Sequence, residues 1–236
     1  MKHRLPYRLL RHYLPIGAIS ALSVFLLYIT RPYKDVLTRA SFATAYPAAA
    51  LLSLTLLLGP LNILRRRRNP VSSDLRRDIG ICAAILTLAH VAVGQFVHLR
   101  GRPWLYYVYS AAEKHVGPRH DLFGFSNYAG AVATLLVLAL LVTSNDRSLR
   151  ALGTPRWKSL QRWNYAVFVL AAFHGFGYQA IETQKPWWIA VLAACVGVAI
   201  ALQLAGLWSR RSGRGAKGPL QARTPEKSIS SEANPL

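Results

Sequence analysis

Apolar residues in this chain are grouped into six long stretches, which are separated by shorter segments rich in charge. The stretches run approximately over Tyr13–Thr30, Ser41–Leu64, Ile79–Leu99, Asn127–Ser144, Asn164–Ile181 and Trp187–Trp208. Each is long enough to cross a hydrocarbon core of about 30 Å, and a chain in lipid must satisfy its own backbone hydrogen bonds. The pattern therefore predicts an all-α integral membrane protein, built as a bundle of six transmembrane helices.

Basic residues are divided unequally between the two sides of this predicted bundle. Of the 29 Lys and Arg, 21 lie before the first stretch, in the second and fourth connecting segments, or after the last stretch. Cytoplasmic segments of membrane proteins carry the excess of Lys and Arg. We therefore expect a multi-pass membrane protein with both termini in the cytoplasm. The net charge of +20 is thus concentrated on one side of the membrane, so we expect contact with membrane lipid and not with nucleic acid.

The composition changes after the last apolar stretch. Residues 1–208 are predicted to form the six-helix domain, and residues 209–236 are rich in Ser, Gly, Pro and basic residues. Such a composition is typical of disorder, so we expect a basic disordered cytoplasmic tail. The tail is too short for a flavin or nicotinamide domain, and the chain contains no Gly-x-Gly-x-x-Gly fingerprint.

Two histidines interrupt stretches that are otherwise free of charge. His90 and His174 each lie twelve residues after the last charged residue of the preceding basic segment, which is Asp78 for the first and Arg162 for the second. Twelve helical residues rise about 18 Å, so two helices that run in the same direction place both imidazoles at one depth. Ionisable side chains at membrane depth are costly and are usually functional. The pair predicts two axial ligands for one haem iron.

Small residues accompany both histidines. Gly94 lies one helical turn beyond His90, and Gly175 follows His174 directly. Small side chains allow a flat macrocycle to approach the helix backbone, so both glycines are candidate cofactor-binding positions. Close packing of membrane helices through small residues is the alternative interpretation.

Several short motifs support a family resemblance. They are Arg76-Arg77-Asp78-Ile79-Gly80, Leu88-Ala89-His90, Leu141-Val142-Thr143-Ser144-Asn145, Trp157-Lys158-Ser159-Leu160-Gln161-Arg162-Trp163-Asn164-Tyr165 and Ala171-Ala172-Phe173-His174. On these motifs the chain resembles the ferric reductase-like transmembrane family. Within that family it looks most like the haem-binding membrane subunits of bacterial periplasmic methionine-sulfoxide reductase systems.

The resemblance implies a b-type haem protein that transfers electrons across or within the membrane. His90 and His174 would be the axial ligands. Electrons would come from a cytoplasmic flavoprotein or nicotinamide-dependent partner, or from quinol, and would pass to a periplasmic redox partner. The chain would thus be an oxidoreductase component without its own flavin or nicotinamide domain.

The sequence departs from the two-haem members of this family at the inner end of the fifth stretch. Those members carry a second histidine thirteen residues before the position of His174, and Gln161 stands there in this chain. Arg77 precedes His90 by the same interval. We therefore expect one haem, in the outer half of the membrane.

The same inner positions are candidates for binding a donor. Arg77 and Arg162 are predicted to stabilise haem propionates or an anionic donor on the cytoplasmic side. Because the expected haem is about 18 Å from that side, a quinone or flavin bound near Gln161, Arg162 and Trp163 is the expected bridge.

Two other function classes remain open on the sequence alone. One is a non-catalytic haem-binding or assembly subunit that anchors a redox partner in the membrane. The other is a transporter-like bundle in which the histidines relay protons. His98 is interpreted as an interfacial residue, as a contact to substrate or partner, or as a haem ligand. His12 is interpreted as a residue of the basic N-terminus that is solvated or lies at the lipid headgroups.

Overall fold

The computed structural model describes residues 4–65, 74–99, 102–110, 117–182 and 185–215. The helices in these residues are α1 (Arg4–Arg8), α2 (Leu14–Thr30), α3 (Val36–Leu64), α4 (Asp74–Gly94), α5 (Leu122–Thr143), α6 (Asp146–Gln161), α7 (Asn164–Ile181) and α8 (Pro186–Gly215). A π-helical turn, Leu9–Tyr13, connects α1 to α2, and a 3-10 turn, Pro103–Tyr106, lies between α4 and α5. Within the described ranges the only β pairing is one isolated bridge, so the all-α prediction is confirmed.

Five helices in the described part of the chain are long and apolar enough to cross a membrane. They are the continuous helix Pro6–Thr30, α3, α4, α5 and the Pro186–Ser209 part of α8. The chain is therefore a multi-pass membrane protein. The fifth predicted stretch forms α7 with the predicted bounds, but Asn164, His174 and Gln179 make it too polar to join this group. The count of six spans and the cytoplasmic location of the termini stay predictions.

The fourth connecting segment contains a helix, α6, which the pattern of apolar stretches did not predict. Asn145 caps the first turn of α6 through its side chain, and Trp157 Nε1 donates to the Thr143 carbonyl at 2.9 Å. Gly153 interrupts the helix with a φ of 70°, shortly before Pro155. α6 is polar on one side, and a search for continuous apolar runs does not detect such a helix.

The third predicted stretch is displaced along the chain. α4 begins at Asp74 and ends at Gly94, and both bounds lie five residues earlier than in the predicted range Ile79–Leu99. Tyr106 is only 1% exposed. Its hydroxyl donates to the Gly94 carbonyl at 3.0 Å and accepts from the His98 amide at 2.9 Å. Because this tyrosine satisfies backbone groups at the end of α4, the chain leaves the helix there.

The predicted boundary between the helical domain and the tail also differs from the structure. α8 continues to Gly215, so residues 209–215 belong to the helix and not to a disordered tail. Basic side chains such as Arg211 near a helix C-terminus are favourable to the helix dipole. Residues 216–236, the remainder of the predicted tail, lie outside the described residues.

The helices pack as a bundle with two chemically distinct ends. α3 lies against α2, α4 and α8, while α5 lies along α7. We call the end where α3 stops and α4 starts the inner end, and the opposite end the outer end. The inner half of the bundle contains the main apolar core, whose buried members are Leu52, Leu56, Ala84, Val137, Leu140, Val167, Phe168 and Ala199.

A fully buried carboxylate fixes the N-terminal segment to the inner end. Asp78 is 0% exposed and accepts hydrogen bonds from Arg8 and, at 2.6 Å, from His12 Nδ1. A buried carboxylate is tolerated when it is paired and hydrogen-bonded. The interpretation of His12 as a solvated residue was therefore wrong, because it is one of the partners of Asp78.

Reporter fusions test the predicted orientation. Fusions after Leu64, after Arg150 and after the C-terminal residue should all report the cytoplasm, because the basic excess lies at the inner end. A fusion after Val108 at the outer end is the matched control and should report the opposite side. A periplasmic signal from the fusion after Leu64 would contradict the orientation.

Candidate functional site

The structure brings His90 and His174 together inside the bundle. Their ring centroids are 6.3 Å apart, and the ring planes are inclined by 76°. A metal–imidazole bond is about 2 Å long, so two imidazoles bound to opposite sides of one metal have centroids roughly 6 Å apart. The separation of the rings thus suits two ligands of a single ion.

Each imidazole is oriented by a backbone carbonyl on a neighbouring helix. His90 Nδ1 lies 3.0 Å from the Ser41 carbonyl on α3, and His174 Nδ1 lies 2.9 Å from the Ser126 carbonyl on α5. A carbonyl only accepts hydrogen bonds, so Nδ1 carries the proton on both rings. The remaining nitrogen, Nε2, therefore has a free lone pair, and metal-binding histidines have this same outer hydrogen bond.

A cavity of about 550 Å³ surrounds the two rings. Its walls come from α3, α4, α5 and α7, and Leu192 of α8 also contributes. Cofactor sites in proteins typically have volumes of about 300–1,000 Å³ and mostly apolar walls with a few placed polar groups. In the described ranges no third His, Cys, Asp or Glu joins the pair as a metal ligand. Two imidazoles are the protein ligands that a haem iron uses when the macrocycle supplies the others.

The cavity extends from the outer end of the bundle to the edge of the apolar core in the inner half. On α3 and α5, which run from the outer to the inner end, the lining residues stop at Leu52 and Val137. On α7, which runs in the opposite direction, they start at Val167. Closer to the inner end the space is filled by Leu56, Ala84, Leu140 and Phe168.

The predicted glycines and one unpredicted glycine have different roles around the pair. Gly94 and Gly175 both line the cavity. A Cβ at Gly94 would meet Ser41 Oγ at 3.7 Å, and one at Gly175 would meet Leu192 Cδ2 at 3.0 Å, so Gly175 also allows α7 to approach α8. Gly130 was missed by sequence reasoning, although a Cβ there would lie 2.8 Å from His174 Nδ1.

The candidate residues at the inner end do not line this cavity. Arg77 donates to the Ser144 carbonyl at 2.9 Å and to Asp146 at 2.6 Å, and this hydrogen bond holds the pKa of Asp146 below its usual value. Gln161 Nε2 lies 3.5 Å from Ser144 Oγ. Arg77 and Gln161 therefore connect α4 and α6 to the end of α5.

Arg162 and Trp163 lie between α6 and α7 and are both exposed, with Trp163 at 55%. They stand at the inner surface, several helical turns from the histidine pair. The donor-binding role predicted for them, and for Gln161, stays a prediction.

The outer end of the cavity is polar and aromatic. His98 and Glu182 both line it, and their side chains approach to 3.1 Å. The Tyr178 hydroxyl donates to Asn127 Oδ1 at 2.9 Å, and its ring lies 4.9 Å from the ring of His174. Sequence reasoning found His98 but not its partner, because α5, α6 and α7 separate Glu182 from His98 along the chain.

Comparison with known proteins agrees with this arrangement. The family model described as "Ferric reductase like transmembrane component" matches residues 44–172, which is more than half of the chain. The match includes His90 and ends two residues before His174. The chain belongs to this family. The resemblance stated from the sequence motifs is thereby confirmed.

Two curated relatives are similar over parts of the chain. The "Protein-methionine-sulfoxide reductase heme-binding subunit MsrQ" of Azospira oryzae is 49% identical over 45 residues, which is 19% of this chain and 19% of that protein. An uncharacterized protein of Treponema pallidum is 34% identical over 141 residues, 58% of this chain and 34% of that protein. The chain thus aligns with about a fifth and a third of the lengths of these two relatives.

Substitution of Gly130 tests the close contact between α5 and the His174 ring. In Gly130→Ala, the new methyl group would collide with the imidazole, and overpacking of this kind costs about 1–3 kcal/mol, more than the roughly 1 kcal/mol gained in helix propensity. We expect a lower unfolding temperature in detergent.

Gly197→Ala is the matched control, because a Cβ at Gly197 has no atom within 4 Å. Its stability should be unchanged or slightly higher. A Gly130→Ala protein at least as stable as the control would contradict the contact.

Proposed function

We propose that this chain is a b-type haem protein of the bacterial inner membrane that carries electrons to an acceptor on the outer side. One haem would lie in the cavity, with His90 and His174 as its axial ligands. The observation that supports this most strongly is the histidine pair itself, whose rings are 6.3 Å apart with Nδ1 of each bonded to a backbone carbonyl. The MsrQ relative, named as a heme-binding subunit, supports the same proposal.

The haem iron would supply reversible one-electron chemistry, and the chain's own residues would control its surroundings. The carbonyls of Ser41 and Ser126 hold the two imidazoles in one tautomer and one orientation. Such outer hydrogen bonds raise the basicity of a ligating imidazole. Gly130 allows the backbone of α5 to approach the His174 ring, Gly94 lines the cavity beside Ser41, and the apolar walls would exclude water.

One haem per chain is favoured by the packing of the inner half. Leu56, Leu140 and Phe168 fill the bundle between the cavity and the inner end. Gln161 and Arg77, which stand where the inner ligands of two-haem members would be expected, are engaged with α5 and α6 instead. Neither is a usual haem ligand.

The donor would be a cytoplasmic flavoprotein or membrane quinol. Twelve helical residues, roughly 18 Å, separate Arg162 from the level of His174. A quinone or flavin near Gln161, Arg162 and Trp163 would shorten this gap, and the exposure of Arg162 and Trp163 at the inner surface supports access of a donor to that place. The acceptor would be a periplasmic redox partner at the outer end.

Replacement of the paired histidines tests the ligand assignment. His90→Ala and His174→Ala should each abolish the reducible low-spin absorption spectrum of the purified protein, because either change removes an axial ligand. His98→Ala is the control and should retain most of the spectrum. Absence of any haem spectrum in the wild-type protein would instead favour the proton-relaying bundle.

Haem stoichiometry tests the prediction of a single site. The ratio of haem to protein should be about one, because only the outer half has a cavity beside paired imidazoles. A ratio near two, retained in Gln161→Leu, would show that an inner haem uses other ligands.

A further inference from the structure

A second titratable pair lies in the same cavity, away from the proposed haem ligands. His98 Nε2 and Glu182 Oε1 are 3.1 Å apart, and the two side chains are 30% and 32% exposed. His98 follows the end of α4, and Glu182 follows the end of α7, so both belong to the outer end of the bundle. The pair therefore borders the cavity at the end that faces the outer side.

His98 is fixed in position by its neighbours. Its amide donates to the Tyr106 hydroxyl at 2.9 Å. Its ring packs against Tyr106, Phe123 and Tyr178 at centroid distances of 6.3, 5.8 and 5.8 Å. Since Tyr178 also contacts the His174 ring, one aromatic side chain connects the pair to the proposed haem site.

The charged and titratable groups around His98 come from three elements. α7 contributes Glu182 and Tyr178, and the 3-10 turn contributes Tyr106. α5 contributes Phe123. The Arg119 guanidinium lies over the Phe123 ring, 5.1 Å from its centroid, and forms an ion pair with Asp121 at 2.7 Å. The immediate charged partner of His98 is thus the Glu182 carboxylate.

The distance to the proposed iron is short enough for electrostatic coupling. The Tyr178 ring lies 5.8 Å from the His98 ring and 4.9 Å from the His174 ring, so the His98 ring is at most about 11 Å from the proposed ligand His174. One added electron at that distance, in a medium of effective dielectric constant about 20, strengthens the binding of a proton about tenfold. Histidine is the side chain that ordinarily changes its charge between pH 5 and 8.

We propose that the His98–Glu182 pair is a redox-linked proton site, which binds a proton from the outer side when an electron enters the cavity and releases it when the electron leaves. The proposal rests on the proposed function, because the electron is the one carried by the haem. One electron from the donor is balanced by up to one proton from outer water. Coupling between two sites is reciprocal, so a protonated pair also favours the reduced state.

The midpoint potential of the haem is therefore expected to fall as the pH rises. A rise in pH removes the proton from the pair, which makes reduction less favourable and lowers the midpoint potential. A tenfold coupling corresponds to about 59 mV for a one-electron couple, so the potential should fall by about that amount across the titration of the pair.

The test is a redox titration of the purified full-length protein, followed by its haem spectrum, between about pH 5 and 9. Wild type should show the fall in potential, and His98→Gln should show a potential independent of pH. Glu182→Gln should move the fall to lower pH, because the imidazolium loses its counter-charge. His120→Gln is the matched control, since this outer histidine does not line the cavity, and it should behave as wild type.

A wild-type potential that does not change with pH would overturn the proposal while leaving the haem assignment intact. The same slope in wild type and His98→Gln would overturn it as well. If His98→Gln does not retain haem, an unaltered titration in Glu182→Gln serves as the refuting result. A wild-type protein without a haem spectrum would refute the proposed function, and this proposal with it.

Discussion

The site depends on two hydrogen bonds from imidazoles to backbone carbonyls in the interior of a membrane protein. A neutral imidazole buried among apolar helices needs a partner for its N–H, and Ser41 and Ser126 provide one through their carbonyls. Helical carbonyls are normally used within the helix, so each of these accepts a second hydrogen bond. The two contacts tie α4 to α3 and α7 to α5, and they point both free nitrogens into one cavity.

The bundle differs in packing and polarity on the two sides of this cavity. In the inner half, Leu56, Leu140 and Phe168 pack closely between the cavity and the inner end. In the outer half, Tyr106 ends α4 and brings the following segment over the bundle, which places His98 beside Glu182. The result is an apolar interior in the inner half and a polar outer end, and this asymmetry would give the proposed electron carrier a preferred side for exchange with protons.

Both halves have polar contacts that hold helices together, but these contacts differ in kind. At the inner end the contacts are ion pairs. Asp78 binds Arg8 and His12, and Arg77 binds Asp146. Beside the histidine pair the contacts go to the backbone carbonyls of Ser41 and Ser126, and the pair of His98 and Glu182 lies at the outer end of the cavity. Charges are tolerated near the lipid headgroups and are costly at depth, which accounts for this distribution.

The sequence by itself determined the helical class, the approximate positions of the apolar helices and the two histidines of the pair. It could do so because lipid permits few backbone conformations, and because a histidine in an apolar run is conspicuous. The ends of α4, the helix α6 and the partners of His12 were not predictable, since they depend on contacts with distant segments. Only the tertiary structure decided that Ser41, Ser126, Gly130 and Glu182 belong to the site, because a backbone carbonyl, a missing Cβ and a distant carboxylate leave no local pattern in the sequence.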